Sequence, residues 1–334
     1  MKIGVACLLS FSAIAVACPA VAAGDTGADF KLSAAYDGIA SAYIITSAIK
    51  ADPKGGDADS VVIGFKQRGE SANLSGGLAI LKKINSDWVV SWGGWFEGVF
   101  PKNVTANGPV LSMKLIRTTQ AGEKSKDYSI TYGKDFYYLY EPKNAFSTPK
   151  ITASSTFKEA GVKAENVYDG DPATAWAEGV DGPGTGEWVD LSLKTPVGIG
   201  MVGVISGLFN LKDRVWKQNN RVQNGEIRVE ITEEKRDEKS KLDFEKDLGM
   251  VISGDTIDMS FPNRPCVRFF EIRRNGVKSI RLVINSVFLG DQYDDTYMAE
   301  VIPFQIIDPS APSQAAAATP PADEKKPDKS KEKQ

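Results

Sequence analysis

The feature that most constrains this chain is strict two-residue alternation without helical segments between the alternating runs. In EIRVEIT, Ile227, Val229 and Ile231 alternate with Glu226, Arg228 and Glu230, the period of a half-buried strand. TIDMSF places Ile257, Met259 and Phe261 on one face, SIRLVIN does so with Ile280, Leu282 and Ile284, and EWVDLSL with Val189, Leu191 and Leu193. Several such strands joined by polar turns must stack sheet on sheet to cover their apolar faces. The expected architecture from Ile151 to about Ile307 is therefore a β-sandwich.

Residues 24–148 read as a smaller, mainly antiparallel β domain. The runs SVVIGF, GLAILKKI, DWVVSWGGWF, PVLSMKLI and DFYYLY are divided by the breaks GGD, GES, NGP and GEKSKD. Trp88, Val90 and Trp92 are expected to share one strand face, with Trp95 just beyond, as a core stripe. The opening DFKLSAAYDGIASAYIITSAIKA fits either a strand pair or one helix. Pro142 and Pro149 mark the expected boundary, giving a first domain over 24–148 and a second over 149–307.

Lys2, the apolar run IGVACLLSFSAIAVAC and the small residues PAVAAGD describe a secretory signal peptide over 1–23, cut near Ala23. The expected location is extracytoplasmic, secreted or periplasmic. AVAC lacks the usual large aliphatic residue three places before the cysteine, which sets lipid attachment at Cys18 second to cleavage. After cleavage no run is apolar enough to span a membrane, which takes roughly 20 residues. The tail over 308–334 is rich in Pro, Ala, Lys and Glu, lacks aromatics, and is expected to be disordered.

Chemistry is bounded sharply by one absence: the chain contains no histidine. Ser-His and Cys-His catalysis and His-ligated metals are thereby excluded. Cys266 is the lone cysteine beyond the leader and, within RPCVRFFEIRR, reads as a small buried residue. A net charge of -3 with no basic face gives no reason to expect nucleic acid.

The run YDGDPATAW concentrates Asp169, Gly170, Asp171 and Thr174 before Trp176. Its oxygens can wrap a calcium ion or close an Asx-type turn, and the residues alone leave both open. Trp176 is expected to plug the sandwich end. A second acidic segment, GDQYDDTYMAEV, offers Asp295 or Glu300 as further oxygen ligands if the fold brings the two together.

Taken in order, ITASSTF, VYDGDPATAW, GPGTGEWVDLSL, NNRVQNGEIRVEI and DTYMAEVIPFQI resemble the discoidin-like (coagulation factor C-type, galactose-binding-like) sandwich. More narrowly they are similar to its NADase-type glycan-binding subgroup, over about residues 149–307. The resemblance implies an all-β chain whose C-terminal half is a jelly-roll β-sandwich, binding a glycan or cell-surface polysaccharide with loops at one rim. It also implies a structural calcium, carried over to Asp169, Asp171, Thr174 and Glu300. Residues 24–148 do not resemble the NADase catalytic domain, so that activity is not carried over.

The segment GLFNLKDRVWKQNNRV does not match a sugar-binding pattern by position, so its candidates rest on physics. Sugars are held by an aromatic face against C–H groups and planar polar side chains against hydroxyls. Trp216, Asn219, Asn220 and Arg221 offer that mixture, with Asn220 and Arg221 reading more readily as ties between loops. Trp188 is either covered or an exposed platform.

Three classes of function follow: an exported, non-catalytic glycan-binding protein; a protein-binding or envelope-structural component; and an enzyme whose residues 24–148 carry carboxylate-based hydrolysis, with the sandwich as targeting module. Glu97, Asp127 and Asp135 show no recognisable spacing for the last. The first is the function expected here.

Overall fold

The computed structural model describes residues 30–51, 60–69, 72–84, 87–132, 149–209, 215–232 and 256–308. The leader with Cys18, Pro142, the run DFYYLY with Asp135, and the tail from 309 onward lie outside the described residues. After a 3-10 turn at Phe30–Leu32 comes α1 (Ala34–Ala42), then β1 (Tyr43–Lys50), β2 (Ser60–Gln67), β3 (Gly76–Ile84) and β4 (Asp87–Phe96). A second group holds β5 (Phe100–Asn107), β6 (Val110–Thr119) and β7 (Gly122–Thr131). The second half holds β8 (Lys150–Ala153), a 3-10 turn at Ala164–Tyr168, β9 (Trp176–Ala177), β10 (Trp188–Ser206), α2 (Val215–Gln218), β11 (Asn220–Ile231), β12 (Thr256–Ser260), β13 (Val267–Phe288) and β14 (Thr296–Ile306).

The ambiguous opening resolves into both elements in succession. Ser33 caps α1 by accepting the Tyr36 N–H at 3.1 Å, and AAYDGIASA propagates the helix. It ends where the β-branched and aromatic run Tyr43-Ile44-Ile45-Thr46 starts, which prefers a pleated surface.

Strands β1 to β4 form an antiparallel meander whose two faces are both buried. Val62, Leu78, Ile80, Trp92 and Phe96 pack with Val104, Leu111, Met113, Leu115 and Ile130 from the three-stranded β5–β7 sheet. Val61, Ile63, Phe65, Ala79, Leu81, Val90 and Trp95 join the core of the second half. Two-sided burial explains why SVVIGF is a continuous apolar run rather than an alternating one.

The expected common face of Trp88, Val90 and Trp92 is corrected by a bulge. Leu81 stands opposite Val90, yet Ile80 stands opposite Trp92, so Ser91 is an extra residue whose hydroxyl donates to the Ile80 carbonyl at 3.1 Å. One inserted residue inverts every later side chain. Trp88 and Val90 therefore face the second half, and Trp92 faces the β5–β7 sheet.

The second half is the β-sandwich expected from the alternation. Val189, Leu191, Ile227, Val229, Ile280, Leu282 and Ile284 are all buried on the inner face. β10 and β13 run 19 and 22 residues, and their register breaks coincide, between Ser192 and Met201 on β10. The first stretch of β10 pairs with β8 and the second with β14, so one long strand serves both layers.

The two halves meet without a gap. β14 pairs in parallel with β4 at Gln305–Gly94 and Ile306–Trp95, and α1 lies on β13. Glycines make the approach feasible: a Cβ on Gly200 would stand 2.1 Å from the Trp95 ring, and one on Gly93 would stand 2.3 Å from Phe304. Among the described residues no helix is long and apolar enough to cross a membrane. Gly200→Ala is expected to cost roughly 1–3 kcal/mol, because Trp95 has no room to move in a packed core. A lowered urea midpoint with an unchanged slope would register it.

Candidate functional site

One end of the sandwich is built by the segments 169–175, 178–187, 207–209, 215–219 and 289–295, and buried polar side chains hold them in place. Asn220 is fully buried at the start of β11. Its amide oxygen accepts the Gly290 N–H at 2.7 Å, its amide nitrogen donates to the Asp294 carbonyl, and its backbone N–H donates to the Asp295 carbonyl at 3.0 Å. One residue thus clasps both ends of the 289–295 loop.

Arg221 gathers three more segments. Its guanidinium donates to the carbonyls of Lys217 (3.2 Å), Asn219 (2.9 Å) and Leu289 (3.2 Å) and to Asn263 Oδ1 (2.7 Å). Burial pulls its pKa down, and the charge of Asp291 opposes that shift. The group lies 4.5 Å over the Trp216 ring, whose indole N–H donates to the Ser206 carbonyl at 3.1 Å. Asn219 is also buried and donates to the Val215 carbonyl. The structure therefore places Trp216, Asn219, Asn220 and Arg221 together as a bracket beneath the loops. All four are buried, and their polar atoms bond to backbone and side-chain groups of the surrounding loops.

A second support was not evident from the sequence. Glu178 is fully buried just after β9, and its carboxylate accepts the N–H groups of Thr296 (3.1 Å) and Val180 (2.9 Å). Thr296 in turn donates its hydroxyl to the Pro183 carbonyl at 2.8 Å. Burial raises the Glu178 pKa, the two N–H bonds oppose it, and the charges of Asp295 and Glu187 add to the rise. Tyr297 is pushed up to about 12, first by burial and then by the charges of Glu159, Asp295 and Glu178. In the sequence this end was signalled by the acidic segment GDQYDDTY and by YDGDPATAW, not by Glu178.

In the YDGDPATAW loop, the Asp171 N–H donates to Asp169 Oδ1 (2.9 Å) and the Ala173 N–H to Asp171 Oδ1 (3.0 Å), while the Thr174 hydroxyl donates to Asp169 Oδ2 (2.6 Å). Gly170 sits at φ +79°, the left-handed conformation this turn requires. These are successive Asx turns. Trp176 is fully buried with its N–H on the Ser155 carbonyl at 2.9 Å, the plug expected of it.

Glu300 is buried on β14 beneath the loop, where its charge adds to the burial that raises Tyr168. Among the described residues no group of three or more His, Cys, Asp or Glu is placed to hold a metal ion. With Asp169 and Asp171 turned to their own loop, the residues as placed do not fit the calcium set that the resemblance implies.

Trp188 is half-buried on the outer face of β10, and the Arg281 guanidinium covers its ring at 4.0 Å. Asp190 Oδ2 holds Arg281 in turn at 3.2 Å. Cys266 is partly buried, and burial pushes its thiol pKa up, against nucleophilic use.

Outward from the bracket, the rim presents apolar surface. Val180, Leu289 and Tyr293 are 42%, 68% and 48% exposed, and with Ile44 they are the exposed large hydrophobics among the described residues. Trp216→Ala is expected to lower stability by roughly 3–5 kcal/mol in a urea titration, as for a buried aromatic. Asp169→Ala is expected to cost about 1 kcal/mol through its lost turn bonds, with a melting temperature that does not respond to added calcium or chelator.

Comparison with known proteins follows the same division of the chain. Residues 142–304 match the family model described as NAD glycohydrolase translocation F5/8 type C domain. No curated protein matches the chain in sequence. Among solved structures, the lectin domain of lectinolysin in complex with Lewis B antigen is 13% identical over 49% of this chain and 97% of its own, with a TM-score of 0.33. The F5/8 type C domain of a Bacteroides fragilis protein is 16% identical over 48% of this chain and 94% of its own, with a TM-score of 0.33. Arabinofuranosyltransferase AftD from Mycobacteria is 15% identical over 46% of this chain, which spans 10% of that chain's length, with a TM-score of 0.32. By its family model, the stretch 142–304 of this chain is similar to NAD glycohydrolase translocation F5/8 type C domains.

Proposed function

We propose that the chain is an exported, non-catalytic glycan-binding protein whose ligand meets the rim loops of the sandwich. The observation that carries this reading is the placement of Tyr293, Leu289 and Val180. They stand exposed on loops whose backbones are pinned from below by Asn220, Arg221 and Glu178. A tyrosine ring offers its face to sugar C–H groups, and Asp291, Asp294 and Asp295 of the same loop offer oxygens to hydroxyls. Rigid backing matters because a loop ordered before binding loses little freedom when the ligand arrives. The family match over residues 142–304 supports the reading. The apolar leader supports action outside the cytoplasm, secreted or periplasmic.

Binding is shallow, since rim loops bury little of a sugar, and one aromatic carries much of it. The full chain without its leader is expected to select particular glycans on an array. Tyr293→Ala is expected to weaken the best hit about tenfold, the size of one aromatic contact, with an unchanged melting temperature. An empty array together with stable capture of a protein partner through the same rim would replace this reading with a protein-docking one. Turnover of a glycoside by the same preparation would replace it with the enzymatic one.

A further inference from the structure

We propose that the seam between the two halves carries a proton-operated clamp, in which Glu97 takes up one proton and thereby sheds the cost of a partly buried charge beside the Glu271–Arg273 pair. The seam gathers side chains from four strands and two connecting segments. Arg273 of β13 pairs with Glu271 at 2.7 Å and lies 5.6 Å over the Trp95 ring of β4. The Trp95 indole donates to Glu97 Oε1 at 2.7 Å, and the Ser75 hydroxyl donates to Glu97 Oε2 at 3.3 Å. Tyr43 of β1 donates to Glu271 Oε1 at 3.3 Å, and Gln67 of β2 donates to the same carboxylate at 2.9 Å.

The charges do not balance. Two carboxylates share one guanidinium, and that guanidinium is committed to Glu271, with its side chain only 5% exposed. One negative charge is therefore left over, with Glu97 only partly open to water to solvate it. The charged and titratable groups facing Glu97 are Arg273 and Glu271 from β13, with Tyr43 of β1 beyond Glu271. Both carboxylates already serve as acceptors for neutral donors, so adding a proton to Glu97 removes the surplus charge without unpairing the Glu271–Arg273 bridge.

The backbone singles out the same place. Arg273 has φ +47°, in the left-handed region that non-glycine residues rarely occupy, and it lies where the β10–β13 register breaks. The guanidinium is thus aimed across the seam by a bulge rather than by regular pleating. Burial, the largest cause, raises the Glu97 pKa, with Arg273 opposing and Glu271 adding. The sign follows directly. Folded protein holds this proton at a higher pH than the unfolded chain does, so stability grows as pH falls through the raised value and is lost again above it.

The test is thermal unfolding of the full chain without its leader at pH values from 8 to 5, for wild type, Glu97→Gln and Glu271→Gln. Wild type is expected to melt below Glu97→Gln at pH 8 and to converge with it as pH approaches 5, because glutamine mimics the protonated acid. Glu271→Gln is expected to melt lower than wild type throughout, having lost the Arg273 bridge. Parallel curves for wild type and Glu97→Gln, or a Glu97→Gln that melts lower at pH 8, would overturn the proposal. Should Glu97→Gln fail to fold, the Glu97 carboxyl carbon shift in wild type reads the same proton. A midpoint in the raised range supports the clamp, and one at the ordinary glutamate value overturns it.

Discussion

Burial of both faces of the β1–β4 sheet is the constraint on which the rest of this structure depends. One face needs the β5–β7 sheet and the other needs the sandwich, so neither half can cover its apolar surface alone. Trp95 shows how tightly this is done, seated on the backbone of Gly200 where a single methyl group would collide. Phe304, from the last strand of the sandwich, fills the matching hollow over Gly93 and stacks edge-on against Phe65 and Phe269. The first half is in this sense a lid on one side of the sandwich, leaving its loop-bearing end to the solvent.

That free end is made rigid by polar rather than apolar means. Asn220, Arg221 and Glu178 are buried, yet most of their hydrogen bonds go to backbone groups of the loops, some of them distant in sequence. Buried polar groups are costly when unpaired, so each is fully useful only in one loop arrangement. The outcome is a rim whose backbones are fixed while Leu289 and Tyr293 remain outside. Hidden polar ties and exposed apolar side chains are thus divided between the two layers of this end.

Legibility differed by scale. The strands of the second half were readable because each has one dry and one wet face, and Ile227, Val229, Ile280 and Leu282 fell where alternation put them. The sheet β1–β4 was readable as strands but not as faces, since a run such as Val61-Val62-Ile63 hides its period when both sides are buried. The Ser91 bulge was invisible for the same reason: nothing in DWVVSWGGWF marks which residue is extra. The rim was half readable. Asn220 and Arg221 stood out as ties, but Trp216 looked like a platform because an aromatic beside polar residues does not announce the arginine that covers it.

By itself the sequence determined that this chain is built of strands, that its second half is a discoidin-like sandwich, and that histidine chemistry is closed to it. The strands and the missing histidine follow from residue types and their period, which are local properties, and the family likeness of the sandwich from the order of its motifs. Only the tertiary structure decided that the DGD loop satisfies its own carboxylates, that Trp216 lies inside, and that Glu97 confronts Glu271 and Arg273 across a seam. Each of those depends on contacts between residues far apart in the chain, where the partner, not the residue, sets whether a charge is paired or a ring is covered.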